Sequence, residues 1–410
     1  GLSGAALSGG VAGTTVFASE PAIAVASDGT LYAAWIDLRS GSRQVYVAEY
    51  SGGSWSELGG SITGGGVSNT IEDARDVSIS VTDAGNPIVT WTQASGPFTD
   101  IYSSEYNETT TSWNQLVVDN SGVASDSQIT EFGTTNAAAW LDDSSGTVQL
   151  YIRQLVGGVW QSIGAGSDNA GGVSNAVKDV NSFTLAGNGT EIVLTWETNG
   201  SVFLMQWDGA AWIELAGSAS GDGLAGTTAA LNPTVAMLGI DVTVAWLAGV
   251  DAPDSVYGTH YTSGVWSDLK SGDALSSETI EAHSVHLASS NSGVGEMDIL
   301  WTARDLDASE VIQRQRWNGS KFVTDLASDM TTGVVGSAAA VADVSYVIDG
   351  DGHAITAIQN GDGSAMAVRV IANKVDIATT HELALGSSIQ TLLDSGTLQA
   401  GDVIVLEAGT

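Results

Sequence analysis

The sequence predicts an all-β fold: a seven-bladed β-propeller of four-stranded antiparallel blades. Three observations carry that prediction. Trp35, Trp91, Trp140, Trp196, Trp246 and Trp301 each end a short apolar run, at steps of 56, 49, 56, 50 and 55 residues, and a further step of 56 reaches Ala357 in a matching run. A second aromatic row, Trp55, Trp113, Trp160, Trp212, Trp266 and Phe322, follows about twenty residues behind. Between the rows, short alternating runs are separated by Gly-, Asn- and Asp-rich turns. Self-similarity at this period marks stacked supersecondary units, none of which can bury its apolar face alone. Seven such units close a ring.

The first unit sets the order of elements. Residues 21–26 alternate and read as a strand, Ser27-Asp28-Gly29-Thr30 as a turn, and 31–36 as a second strand ending around Trp35. A loop over 37–42 leads to a third strand at 44–50, and Ser51-Gly52-Gly53 turns the chain into a fourth at 54–58. Four short antiparallel strands with tight turns make one propeller blade. The second strands of later units read as 87–91, 136–140, 191–196, 242–246 and 297–301. A small residue precedes most of the tryptophans (Ala34, Thr90, Ala139, Thr195, Ala245), which lets the neighbouring strand approach. Aromatics flank the third-to-fourth turns, as in Tyr50 and Trp55, Trp207 and Trp212, Tyr261 and Trp266, and Trp317 and Phe322, and such pairs can meet across a hairpin.

The blades are expected over 18–69, 70–124, 125–175, 176–228, 229–278, 279–335 and 336–381, within a propeller domain of residues 1–381. The seventh unit lacks tryptophan, and its strands are expected at 344–348, 353–357, 365–370 and 374–379. Residues 7–20 resemble an inter-blade connection, which brings the two ends of the ring together. Residues 382–410 break the pattern. They read as a short helix capped by Ser387 or Ser388, with Ile389, Leu392 and Leu393 on one face, followed by a strand over 403–406.

Composition narrows the function classes. The chain has 410 residues, 43% of them hydrophobic, with 51 glycines and no cysteine. The net charge is −35, from 47 acidic and 12 basic residues. Such a surface repels nucleic acid and anionic membranes, so neither partner is expected. No run of 18 apolar residues exists, so no membrane insertion through a helix is expected. The N-terminus lacks the basic and apolar stretches of a signal peptide, and the start at Gly1 is read as a mature form or an excised piece.

The phrases Ala33-Ala34-Trp35-Ile36-Asp37, Gly52-Gly53-Ser54-Trp55-Ser56-Glu57-Leu58-Gly59-Gly60 and Gly65-Gly66-Val67-Ser68-Asn69, the last repeated at 171–175, resemble the sialidase-like (BNR-type) propeller repeats of large secreted bacterial proteins. The phrase running from Ser388-Ile389-Gln390 through Gly401-Asp402 to Gly409-Thr410 resembles the start of a right-handed parallel β-helix of the pectate-lyase type. These resemblances imply an extracellular or cell-surface setting and further domains in the same polypeptide. Kelch repeats share the period, but they carry a glycine pair after the second strand, where this chain has tryptophan and polar residues.

Sialidase chemistry is not expected. The turns between third and fourth strands lack the Asp-box of that family, as in Tyr261-Thr262-Ser263-Gly264-Val265-Trp266. Arg39 and Arg304 occupy equivalent loops and Arg75 precedes a first strand, so the three can project on one face. The second-to-third-strand loops vary most, and they carry Asp37, Asp100, Asp142, Asp143, Glu197, Asp251, Asp254, Asp305 and Asp307. A ring of carboxylates there can hold Ca2+ or a polyhydroxylated ligand, or be a solvated acidic face. Trp207 and Trp317 lie outside the regular rows beside turns and are candidates for sugar stacking. Asp349 and Asp351 in Asp349-Gly350-Asp351-Gly352 form a weak calcium-loop candidate in what also reads as a plain turn. His283 and His286 are three apart on a strand, which points them to opposite faces. The expected function is a non-catalytic binding, adhesion or scaffold module that recognises a glycan, or a cell-surface or matrix protein. The alternatives are a carbohydrate-active enzyme and a self-assembling structural subunit.

Overall fold

The computed structural model describes residues 18–323 apart from 53, 225–228, 250–253, 271–273, 277–280, 291–295 and 305–309; beyond these it describes 341–349, 354–360, 367–373, 380–383 and 403–406. Six four-stranded antiparallel sheets follow one another along the chain, over 18–57, 74–119, 124–162, 180–213, 230–268 and 281–323. Each is a meander whose strands pair in sequence order. Among the described residues there is no helix.

Where a seventh four-stranded blade was expected, the described residues hold a three-stranded sheet: Val341–Ile348, Ala354–Asn360 and Ala367–Asn373. The stretch expected to supply its fourth strand, 374–379, lies outside the described residues, as does the expected helix after Ser387. Thr380–Leu383 instead pairs in parallel with Val403–Leu406. The first strand of this last sheet lies against blade one, where the Ile23 amide donates to Ser345 Oγ at 3.1 Å. Ile355 and Ala357 enter the same apolar cluster as Ala18, Ile23 and Trp35. An axial cavity of about 490 Å³ is lined by the first strands of all six blades and of this sheet.

The two aromatic rows have separate tasks. The leading tryptophans are core: Trp35, Trp91, Trp140, Trp196, Trp246 and Trp301 are at most 5% exposed. Four of them stack on a ring of the third strand at about 6 Å (Tyr46, Tyr102, Tyr151 and Phe203). Second-strand burial is continuous on both faces, because each blade is covered by a neighbour on either side. The trailing tryptophans tie blades together. The indole N–H groups of Trp113, Trp212 and Trp266 donate to the carbonyls of Leu58, Ile163 and Leu215 in the preceding blade at 2.8, 2.8 and 2.6 Å. Trp160 donates to Ser103 Oγ at 2.9 Å. The expected hairpin pairs meet, with ring centroids 5.2 Å apart for Tyr50 and Trp55 and 5.1 Å for Tyr261 and Trp266.

The innermost strands carry a bulge near their starts. Glu20, Asp76, Asp126 and Asn232 sit there at φ of 54°, 55°, 54° and 47°. This left-handed region is one that Asp and Asn enter more readily than most residues. Two of these amides are met by side chains of the preceding blade: Asp76 N–H donates to Glu20, and Asp126 N–H to Asp76 at 3.2 Å.

Candidate functional site: the second-to-third-strand loop face

The second-to-third-strand loops and the inter-blade connections share one face of the molecule. Several carboxylates expected to ring that face are turned inward. Asp37 is fully buried; it accepts the Arg39 amide at 2.8 Å and pairs with the Arg39 guanidinium at 2.6 Å. Asp142, 3% exposed, accepts the Ser144 amide at 2.7 Å and the Ser121 hydroxyl. Glu197, 2% exposed, accepts from Asn181 at 2.8 Å and from the Gly200 amide at 2.5 Å. Asp100 accepts the Gly122 amide at 2.9 Å. At Asp37 and Asp142 a carboxylate two residues past the tryptophan folds the loop back on itself by capping an amide, the same chemistry as an Asx turn.

Asp143 is exposed and Asp254 half-buried, while Asp251, Asp305, Asp307 and Asp351 lie outside the described residues. Asp349 is half-buried at the end of a first strand. Among the described residues, no group of three His, Asp or Glu side chains could hold a metal ion.

The three arginines are engaged separately. Arg39 is packed over Tyr46, its Cζ 4.4 Å from the ring centroid. Arg75 is exposed, 3.4 Å from Asp76. Arg304 ends the second strand of blade six, in register with Glu281 and Glu310. Trp207 and Trp317 are not exposed platforms. Trp207 is half-buried against Trp212 and approaches Gly164 of the preceding blade so closely that a Cβ there would lie 2.5 Å from its ring. Trp317 packs between His260, at 4.7 Å, and Phe322, at 5.2 Å. His283 is exposed. The Nε2 of His286 is buried without a hydrogen-bond partner, and burial pushes that imidazole down to about 4.

Two features of the face were not anticipated. Ile71, Phe98, Val123 and Val177 expose 91, 58, 42 and 93% of their surface on the connections and loops of blades one to four. Beside them, blade three holds a cavity of about 240 Å³ lined by Trp140, Asp142, Ser144, Tyr151, Asp119 and Asp168, among others. Burial raises the Asp168 carboxyl, but hydrogen bonds from Ser162 and Arg153 and the charge of Arg153 more than offset it, so the group sits below the usual carboxylate range. A general acid needs the opposite shift, so Asp168 is placed to attract cations and not to donate a proton. The sequence signal for this cavity is the spacing Trp-x-Asp with a tyrosine eleven residues after the tryptophan, present at both Trp35 and Trp140.

No family model matches the sequence, and neither does any curated protein. Solved structures do match. An ulvan lyase of polysaccharide lyase family PL25 aligns with a TM-score of 0.51 and 12% identity, over 89% of this chain and 94% of the lyase. A Hadza microbial sialidase, Hz136, aligns with a TM-score of 0.42 and 11% identity, over 71% of this chain and 66% of the sialidase. The intramolecular trans-sialidase from Ruminococcus gnavus aligns with a TM-score of 0.41 and 13% identity, over 85% of this chain and 91% of that one. At such identities the likeness is one of fold, and the ulvan lyase shares this chain's all-β propeller of four-stranded antiparallel blades.

Proposed function

We propose that this chain is an extracellular or cell-surface binding module that recognises a glycan or a protein through its second-to-third-strand loop face. One observation carries the reading. Asp37, Asp100, Asp142 and Glu197 serve as internal caps, and the face they shape presents exposed apolar side chains beside an acidic cavity. Loops held by buried carboxylates are pre-organised, which lowers the entropy lost on binding. Exposed Ile71, Phe98, Val123 and Val177 supply apolar area of the kind that marks recognition surfaces. The three-stranded sheet against blade one is, in this reading, a reduced seventh blade that closes the ring. The parallel strands beyond it would lead into a further domain.

Glycans come first among ligands to test, because the ulvan lyase of like fold is a polysaccharide lyase. The experiment is an array of polysaccharides and matrix proteins probed with the whole chain, first with calcium and then with chelator. Selective binding, weakened at least tenfold in Phe98→Ser and Ile71→Ser, supports the module. Depolymerisation of a bound polysaccharide would overturn the non-catalytic reading in favour of a carbohydrate-active enzyme.

A further inference from the structure

Blades one and three are built on the same frame, and one of them lacks a part. Trp35, Asp37 and Tyr46 correspond in register to Trp140, Asp142 and Tyr151. The indole and phenol rings lie 6.0 Å apart in both, inclined at 23° and 22°. The phenol donates to an inter-blade carbonyl in both, Gly64 at 3.0 Å and Ala170 at 2.8 Å. Gln44 and Gln149 hold equivalent connections, each accepting from a serine hydroxyl, Ser68 or Ser174, at 2.8 Å. In both blades the aspartate accepts the amide two residues on. That residue is Arg39 in blade one and Ser144 in blade three.

In blade one the Arg39 guanidinium fills the frame. It pairs with Asp37 at 2.6 Å, donates to the Ile62 carbonyl at 3.3 Å and lies over the Tyr46 ring. In blade three the short Ser144 side chain leaves the cavity of about 240 Å³ over the corresponding aspartate and tyrosine. That space is ample for an alkylguanidinium.

We propose that this blade-three cavity binds a guanidinium cation, carried by an arginine side chain or by a free guanidino compound, in the place that Arg39 occupies in blade one. The site is electrostatically short of positive charge. Asp119, Asp142 and Asp168 face it, and Arg153 answers only part of that charge, from 3.0 Å at Asp168 and 3.9 Å at Asp119. Arg153 packs against Trp140 with its Cζ 5.4 Å from the ring centroid and is not in the cavity wall. A planar fork that pairs with a carboxylate and stacks on an aromatic face suits this lining better than a compact ammonium. The inference rests on reading this face as a binding surface, and its test is separate from the glycan test.

The test is titration of the whole chain with ethylguanidinium at low ionic strength, followed by calorimetry and by NMR of the tryptophan side-chain N–H groups. The expected result is saturable 1:1 binding that shifts one indole signal, with ethylammonium at least tenfold weaker. Ser144→Arg restores the side chain of blade one at an exposed position and is expected to abolish binding with the melting temperature kept. Asp142→Asn is expected to weaken binding at least tenfold. Absence of saturable binding, undiminished binding in Ser144→Arg, or equal binding of ethylammonium would each overturn the proposal. An arginine-containing tripeptide separates the two sources: binding of the peptide assigns the site to a partner's arginine, and binding of the free compound alone assigns it to a small guanidino ligand. Loss of guanidinium binding with glycan binding intact would remove this site and leave the face; the reverse would leave the site and remove glycan as ligand.

Discussion

Blades two to six and the last, three-stranded sheet meet the blade before them by different physics. Between the regular blades the contact is aromatic and aliphatic: a buried tryptophan within each blade, and for most of them a second indole hydrogen-bonded back to the blade before. The last sheet has no tryptophan. Its contact with blade six is polar. Tyr346 of its first strand donates to Asp298 Oδ2 at 2.6 Å. Asp298, fully buried, also pairs with Arg314 at 3.1 Å and Arg316 at 2.9 Å, and Arg316 reaches Glu296 at 3.3 Å. Burial and the adjacent Asp298 hold the Tyr346 phenol well above its usual range, so it remains a donor. Apolar contacts tolerate small errors of fit; a buried ion cluster holds only if every member is present. The same ring is thus sealed gradually around most of its circumference and all-or-none at one place.

That contrast is open to test by mutation, in descending order of effect. Asp298→Ala strands two guanidinium groups and a phenol, and removing one partner of a buried pair costs about 3–5 kcal/mol. Chemical denaturation is expected to place this variant near 5 kcal/mol, with early proteolysis after residue 323; a cost below about 1 kcal/mol would show that the cluster is not the seal. Trp91→Ala removes the fully buried indole of blade two and leaves Gln93, its acceptor at 3.0 Å, unmatched, for about 4 kcal/mol. Its proteolytic pattern should remain cooperative, with no early cut at either end. If Trp91→Ala frees the last sheet first, the distinction between the two kinds of contact fails.

A pH titration comes next. The folded His286 imidazole is lowered to about 4 from 6.5, so the stability it permits is present above pH 6.5 and is lost as pH falls towards 4. At pH 5 the loss is about 2 kcal/mol. Melting curves of His286→Gln should show a shallower decline between pH 7 and 5 than the parent; parallel curves would remove His286 as the cause. The smallest effect is expected for Trp113→Phe, which keeps ring packing but deletes the bond to Leu58. A single net hydrogen bond is worth about 1 kcal/mol, and the carbonyl left behind sets the upper end. A thermal melt resolves it.

Much of the fold was legible in the sequence because one-residue-per-blade packing is written directly as periodicity. Trp35 to Trp301 mark second strands, and a run such as Met297 to Trp301 can only be a buried strand. The three-stranded sheet was partly legible, since its lack of tryptophan sets it apart from the other units. What replaced it was not, because Asp298 is a single acid in an apolar run and its partners come from strands up to 48 residues away. A cross-strand reading of Asp298 opposite Arg316 would have been the available signal. Of the acids expected in the loops, Asp37, Asp142 and Glu197 lie at or near the ends of second strands and Asp100 near the start of a third, and the sequence does not show which way they turn. Asp37, Asp142 and Glu197 look alike in sequence to solvated acids, and only the folded loop turns them onto their own amides. Trp207 and Trp317 differ from expectation for a related reason: position beside a turn does not reveal that a glycine or a histidine of the preceding blade lies against the ring.

The bulges of the inner strands have a consequence for how the ring is made. Glu20 receives the amide of Asp76, and Asp76 that of Asp126. Each bond needs an acceptor from the earlier blade and a donor from the later one. Through blades one to three a nascent chain leaving the ribosome therefore ends its finished wall in a carboxylate, not in a bare bulged amide waiting for a partner. The growing edge there is a charge that water tolerates, and blades two and three each arrive at an acceptor already in place. Polarity of synthesis and polarity of bonding run the same way around the axis.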